Sequence, residues 1–373
     1  MAPETRTLLE TVAGAALILF GLVDVFLTVL YARIGYSLIG AWVSRGTRNC
    51  FRWLAQPFGA ERGRILSFCG PVIVVLLIAT WSATLVVGTA LILHPQLGRG
   101  VAPRTGGTST DFTTALYASS GSLSIANSTD FEPKTPAIRL LYVANSLIGT
   151  SVVSLVLMYL MQVYTALQER NALALKIHLA SRSTGDAAEF VAALCPRGSV
   201  SAGVSSLAEI AGELARMKEA HHFYPVVVYF RFREPLYAVS RFSFVVLDAD
   251  ALLRTAVAAE PVGRFADTAP VLQLGQGARL LVETLDTHFA GGATASRPDA
   301  ATRDAWRRRF AAAIERLQGA GVPLVADLAA AAERYVILRA EWQHHIDAIA
   351  PLMGYTSADV DVVGDRLGAP ARR

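Results

Sequence analysis

The uncharged run Ile65–Leu93, ILSFCGPVIVVLLIATWSATLVVGTALIL, decides the fold class. Its 29 residues, rich in Val, Ile and Leu, exceed the roughly 20 that an α-helix needs to cross a bilayer. Leu140–Gln168 is a second uncharged stretch of the same length. A third candidate, Thr11–Leu30, is broken only by Asp24 and is followed by Arg33. It lacks the basic opening and small-residue cleavage site of a signal peptide, so it reads as a retained span. Composition agrees: 53% of the 373 residues are hydrophobic and 17% charged, against about 45–50% and about 25% in soluble domains.

Charge sets the orientation. The connection between the first two spans holds Arg33, Arg45, Arg48, Arg52, Arg62 and Arg64 against one acid, Glu61. By the positive-inside rule it belongs in the cytoplasm, which puts the N-terminus outside and the C-terminus inside the cell membrane. Within it, Tyr36–Phe58 interleaves Leu38, Trp42, Phe51 and Trp53 with arginines, the pattern of a helix lying in the interface. The net charge of +4 is too small to favour a nucleic-acid partner. Cys50, Cys69 and Cys195 are too few and too scattered for a disulfide framework.

Past Arg170 the chain becomes more polar. Residues 171–373 carry 22 basic and 22 acidic side chains, whereas residues 1–170 carry 12 and 8. Ser205–His221, Val271–Phe289, Ala300–Leu317 and Val322–Ile349 space apolar residues at three and four, which predicts a helix bundle. Pro225–Arg231 (PVVVYFR) and Phe242–Leu247 (FSFVVL) read as short strands able to form a hairpin at most.

Between the last two spans, the net-neutral segment His94–Lys134 lies outside. Thr110–Ser122 has a helix start, with Ser109 or Thr110 as cap and Asp111 in the first turn, followed by Phe112, Ala115, Leu116 and Tyr117. A small polar stretch, Ser122–Ser128, then Asp130, Glu132 and Pro133, completes the layout of a re-entrant pore loop. Non-helical backbone at membrane depth is tolerated only when buried in protein or lining water, and two spans with one loop need further copies to enclose such a path.

This arrangement resembles the tetrameric two-transmembrane pore of potassium-channel-like proteins. Ala115–Ser119 is similar to that family's pore helix, Asp130 and Pro133 sit where its post-filter aspartate and proline lie, and Arg139–Arg170 is similar to its inner helix. The resemblance covers residues 65–180 and implies a homotetramer that passes ions. The family's filter, T-x-G-[YF]-G, falls on Ile125-Ala126-Asn127-Ser128-Thr129, without a glycine. Those glycines supply backbone angles that residues with a Cβ resist; Asn127 tolerates the left-handed region best and β-branched Thr129 poorly. Ser122, Ser124, Asn127, Ser128 and Thr129 then suit a wider, partly hydrated pore with weak selectivity among monovalent cations. Asp130 and Glu132 form acidic rings at its outer mouth, with the alternative that Asp130 braces the loop.

The same comparison implies roles in the inner helix. Gly149 is read either as a gating hinge or as a packing glycine against the preceding span. Asn145, Ser146 and Thr150 beside it are polar in a spanning helix and are expected to face protein or a water-filled cavity. Asp24, alone in the first span, is either a functional intramembrane acid or a hydrogen-bonded group near the cytoplasmic end.

The second half shows no nucleotide-binding glycine motif and no nucleophile elbow, so no enzyme is read from it. His221-His222 and His344-His345 read as solvated histidines rather than metal ligands, Arg307-Arg308-Arg309 as a solvated helix face or an anionic-lipid contact, and no metal or cofactor is implied. The expected architecture is an all-α membrane protein with a first transmembrane helix (1–32), an amphipathic connection (33–64), a pore domain (65–170) and a cytoplasmic helical domain (171–373). The pore helix and filter loop fall at 110–133 and the inner helix at 138–168. The alternative function is a non-conducting membrane sensor or scaffold that keeps this architecture.

Overall fold

The computed structural model describes residues 3–31, 37–124, 130–195, 201–258, 266–294 and 297–366. Among the described residues it is all-α apart from one two-stranded ribbon. Among the described residues, Glu4–Leu30, Arg62–Gln96 and Pro136–Ala180 are long and apolar enough to cross a membrane. The chain divides into two compact units, Met1–Thr47 with Pro71–Tyr164 and Arg48–Gly70 with Thr165–Arg373.

In the first unit, α1 (Pro3–Val25) continues as a π-helical turn, Phe26–Leu30, and packs against α4 (Cys69–Leu93). The contact centres on two glycines: a Cβ on Gly14 would lie 2.4 Å from the Gly88 carbonyl, and one on Gly88 2.9 Å from that of Gly14. Lipid tails supply no hydrophobic drive between helices, so such close backbone approach is what holds the pair. Outward-facing Leu9, Val12 and Leu19 on α1, Val75 on α4 and Leu140 and Leu147 on α6 (Pro136–Ala180) are exposed in the single chain, a surface that needs lipid or further subunits to cover it.

Asp24 is fully buried and hydrogen-bonded. Its Oδ1 accepts from the Leu38 and Ile39 N–H groups at 2.8 and 3.0 Å, and its Oδ2 from the Trp81 indole at 2.8 Å. Leu38 begins α2 (Leu38–Leu54), whose next N–H, on Gly40, donates to Ser37 Oγ. The carboxylate thus closes the open N-terminus of α2, where orphan donors and the helix dipole favour a negative group. Arg33 lies outside the described residues.

The second unit is a bundle around α9 (Val239–Thr255), in which every residue but Arg241 and Arg254 is buried. Around it lie α7 (Ala187–Leu194), α8 (Ser201–Phe223), α10 (Ala269–Leu285), α11 (Ala300–Gly319) and α12 (Leu328–Leu352), with short α13 (Ser357–Val360) and α14 (Val362–Arg366) at the end. The four expected helices are present, α12 starting later than predicted because Asp327 caps it by accepting from Ala330 N–H. Neither expected strand forms. Phe242–Leu247 is the middle of α9, and a helix buried all round shows no amphipathic period to distinguish it from a buried strand. Pro225–Tyr229 is a 3₁₀ turn, and buried Arg170 donates to the carbonyls of Val227 and Phe230 at 3.0 and 3.1 Å, drawing them inward instead of into a ladder.

Arg309 corrects the reading of the arginine triplet. Arg308 is exposed and Arg307 pairs with Asp304 and Glu333, but Arg309 is buried. Its guanidinium and that of Arg339 flank Phe244, each 4.9 Å from the ring centroid, and both donate to Asp248 and Asp361. Tyr335 donates to Asp248 as well, and Asp361 accepts from Gly364 N–H. Burial raises the pKa of Asp361, but the charges of Arg309 and Arg339 outweigh it and hold the carboxyl below its usual range. The histidines differ from expectation too. His221 is fully buried, its Nδ1–H donating to Met217 O, and burial pushes its pKa down to about 4; His345 pairs with buried Asp286 at 2.7 Å.

Two outcomes test this packing. Asp24→Ala leaves three donors without an acceptor and is expected to destabilise the detergent-solubilised protein by about 3 kcal/mol, with Asp24→Asn milder; an unchanged melting temperature would remove the capping role. Asp361 has a depressed folded pKa, so its contribution is present at neutral pH and lost as pH falls through that value. Asp361→Asn is therefore expected to cost about 3 kcal/mol or more at pH 7, and its difference from wild type to narrow below about pH 4, as read by thermal unfolding at the two pH values.

Candidate pore loop

Helix α5 (Phe112–Leu123) occupies the connection between α4 and α6. Asp111 is itself the N-cap, with extended φ and ψ and Oδ1 accepting from Thr114 N–H at 2.7 Å, one residue later than the expected Thr110. Hydrogen bonds from the cap's neighbours lower its pKa, the Thr114 contact foremost. At 12 residues the helix is about 18 Å long, too short to span. It buries Ala115, Ala118, Ser119 and Ser122, a face at spacings of three and four whose small side chains admit close neighbours.

A polar seam fastens that face on both sides. Asn145 Nδ2, on α6, donates to Ser122 Oγ at 3.1 Å; Ser122 Oγ donates to Ser119 O; and the Ser119 hydroxyl shares its one proton between Val86 O, on α4, at 3.0 Å and Leu116 O, in its own helix, at 2.9 Å. Asn145 is thus buried inside the chain, whereas Ser146 and Thr150 are exposed on the single chain. Gly149 lies against the end of α5: a Cβ there would come within 2.0 Å of the Leu123 carbonyl.

Beyond α5, Ser124 closes the helix with its N–H on Ser120 O. Ile125, Ala126, Asn127, Ser128 and Thr129 lie outside the described residues. The chain re-enters at Asp130 and forms β2 (Phe131–Pro133), antiparallel to β1 (Val101–Pro103), with Val101 opposite Pro133. This ribbon was not foreseen; three-residue strands bounded by proline give no periodic signal. Glu132 is ion-paired with Arg104 at 2.8 Å and Lys134 at 3.0 Å, and the hydrogen bond from Lys134 leads in holding its pKa below the ordinary glutamate range. Asp130 is exposed, and its carboxylate has no partner among the described residues. The two acids are therefore unlike: one is neutralised locally and the other is open to solvent.

Between the first turns of α1 and the end of α4, His94 Nδ1 meets Glu10 at 2.8 Å, Arg6 contacts the same carboxylate, and Phe112 packs edge-on against the His94 ring. No spacing rule pairs His94 with Glu10, which lie 84 residues apart. Among the described residues no group of three or more His, Cys, Asp or Glu side chains is placed to hold a metal ion. No known protein family, curated protein or solved structure matches the chain.

Gly149→Ala forces a methyl into the Leu123 carbonyl, a backbone group that cannot rotate away. It is expected to destabilise the protein by about 2 kcal/mol or more, while Gly212→Ala, where the space is open, does not; equal melting temperatures for the two variants would refute the close approach.

Proposed function

We propose that this chain is the subunit of a homotetrameric ion channel with a potassium-channel-like pore and a non-standard filter, conducting monovalent cations with weak selectivity. The observation that carries the reading is the seat of α5. Val86 lies seven residues inside the outer end of α4 and Gly149 thirteen residues inside the start of α6, about 10 and 20 Å along those helices. In a hydrocarbon core about 30 Å thick, the end of α5 then lies at mid-membrane depth, so α5 is a re-entrant helix. Four copies around an axis enclose a path at that depth, and the negative ends of four α5 dipoles aim at it, which favours cations. On this reading residues 171–373 form the cytoplasmic domain, and the bilayer and three further copies are the partners.

A non-conducting sensor or scaffold is the second reading, favoured by the loss of every filter glycine. Purified protein in planar bilayers separates the two. The channel reading expects currents whose reversal potential follows cation gradients with little K⁺ over Na⁺ preference. Silent bilayers together with a dry, collapsed axis would establish the second.

The two acids give a finer expectation. Asp130→Asn is expected to lower unitary cation current at low ionic strength by about twofold or more, with the effect fading in high salt. Glu132→Gln, whose charge Arg104 and Lys134 already balance, is expected to change it less. Equal effects, or none from Asp130→Asn, would place the mouth elsewhere.

A further inference from the structure

Four arginines with no acid among them line one recess of the second unit. Arg48 and Arg52 come from α2, Arg62 begins α3 (Arg62–Ser67), and Arg231 follows the 3₁₀ turn at Pro225–Tyr229; Cys69 and Met353 form part of the apolar floor. Arg48 and Arg52 are four residues apart and so share a helix face. The acid nearest in sequence, Glu61, pairs with Arg64 instead, and Arg48, Arg52 and Arg62 have no ion pair among the described residues. Arg231 is fixed in place: its Nη1 donates to Gly63 O at 2.9 Å, and its guanidinium lies 4.5 Å from the Tyr355 ring centroid. The Nε atoms of both Arg48 and Arg231 are buried without a hydrogen-bond partner.

Four arginines gathered in one recess without a counter-charge, two of them with a buried Nε left unmet, are costly, and an anion in the recess offsets that cost. Arginine forks match the tetrahedral oxygens of a phosphate, taking two at a time. The same segment exposes Trp53 (70%), Leu54, Phe58 and Phe68, side chains that sit at a membrane interface and not in bulk water. We propose that the recess is a binding site for the phosphate-ester headgroup of an anionic lipid. The assignment requires that the chain sits in a bilayer and does not depend on whether it conducts.

The test uses the full chain in phosphatidylcholine nanodiscs, titrated with dioctanoyl phosphatidic acid, glycerol 3-phosphate and dioctanoyl phosphatidylcholine, reading tryptophan fluorescence and melting temperature. Phosphatidic acid is expected to bind and raise the melting temperature, and phosphatidylcholine to do neither. Replacing the three free arginines together (R48Q, R52Q, R62Q) is expected to weaken binding about tenfold or more, while removing the same charge from exposed positions (R216Q, R297Q, R308Q) leaves it unchanged. Should the first variant misfold, R48K with R52K and R62K keeps the charge and loses the forks, and weaker binding is again expected. Lysine binding equal to wild type, or equal loss in both glutamine variants, would overturn a built site in favour of diffuse attraction. Glycerol 3-phosphate binding as tightly as phosphatidic acid would overturn the lipid source and leave a soluble phosphate ester as the ligand.

Discussion

Polar groups buried in protein must find partners there, and the seam from Asn145 through Ser122 and Ser119 to Val86 supplies them where α5 packs. A 12-residue helix is too short to cross a bilayer, and the re-entrant position proposed above requires such support at its end. Here small side chains let it nest between α4 and α6, and three hydroxyl or amide groups bond it to both. Gly149 completes the seat by leaving room for the Leu123 carbonyl. Asn145, Ser122, Ser119 and Gly149 together fix where α5 sits between α4 and α6.

Asp24 applies the same rule at the other side of the first unit. A buried carboxylate is costly unless its lone pairs are filled, and here they are filled by the start of a helix and an indole. One side chain thereby fixes where α2 begins and ties it to α1 and α4.

How much was legible varied with how local the cause was. The spans, the short helix with its cap region and the helix bundle follow from runs and periods in the sequence, and the structure contains them. Features set by distant partners were not legible. Phe242–Leu247 reads as a strand because burial on every side erases the helical period; Arg309 reads as solvated because its partners Asp248 and Asp361 lie 61 and 52 residues away. Asn145 was placed on the polar face of a spanning helix, but the choice between protein and cavity was made by Ser122, which no spacing rule pairs with it. Glu132 and Asp130 looked alike until the β1–β2 ribbon brought Arg104 to one of them.

Thr150 and Ser154 on α6 donate their hydroxyl protons to the carbonyls of Ser146 and Thr150, at 2.8 and 2.9 Å, while remaining exposed on the single chain. With the protons turned back into the helix, what faces outward is oxygen lone pairs, repeated once per turn. Such a strip is an uncharged ladder of acceptors. In the channel proposed above, it would stand in for part of the hydration shell of a cation and offer no donor to an anion.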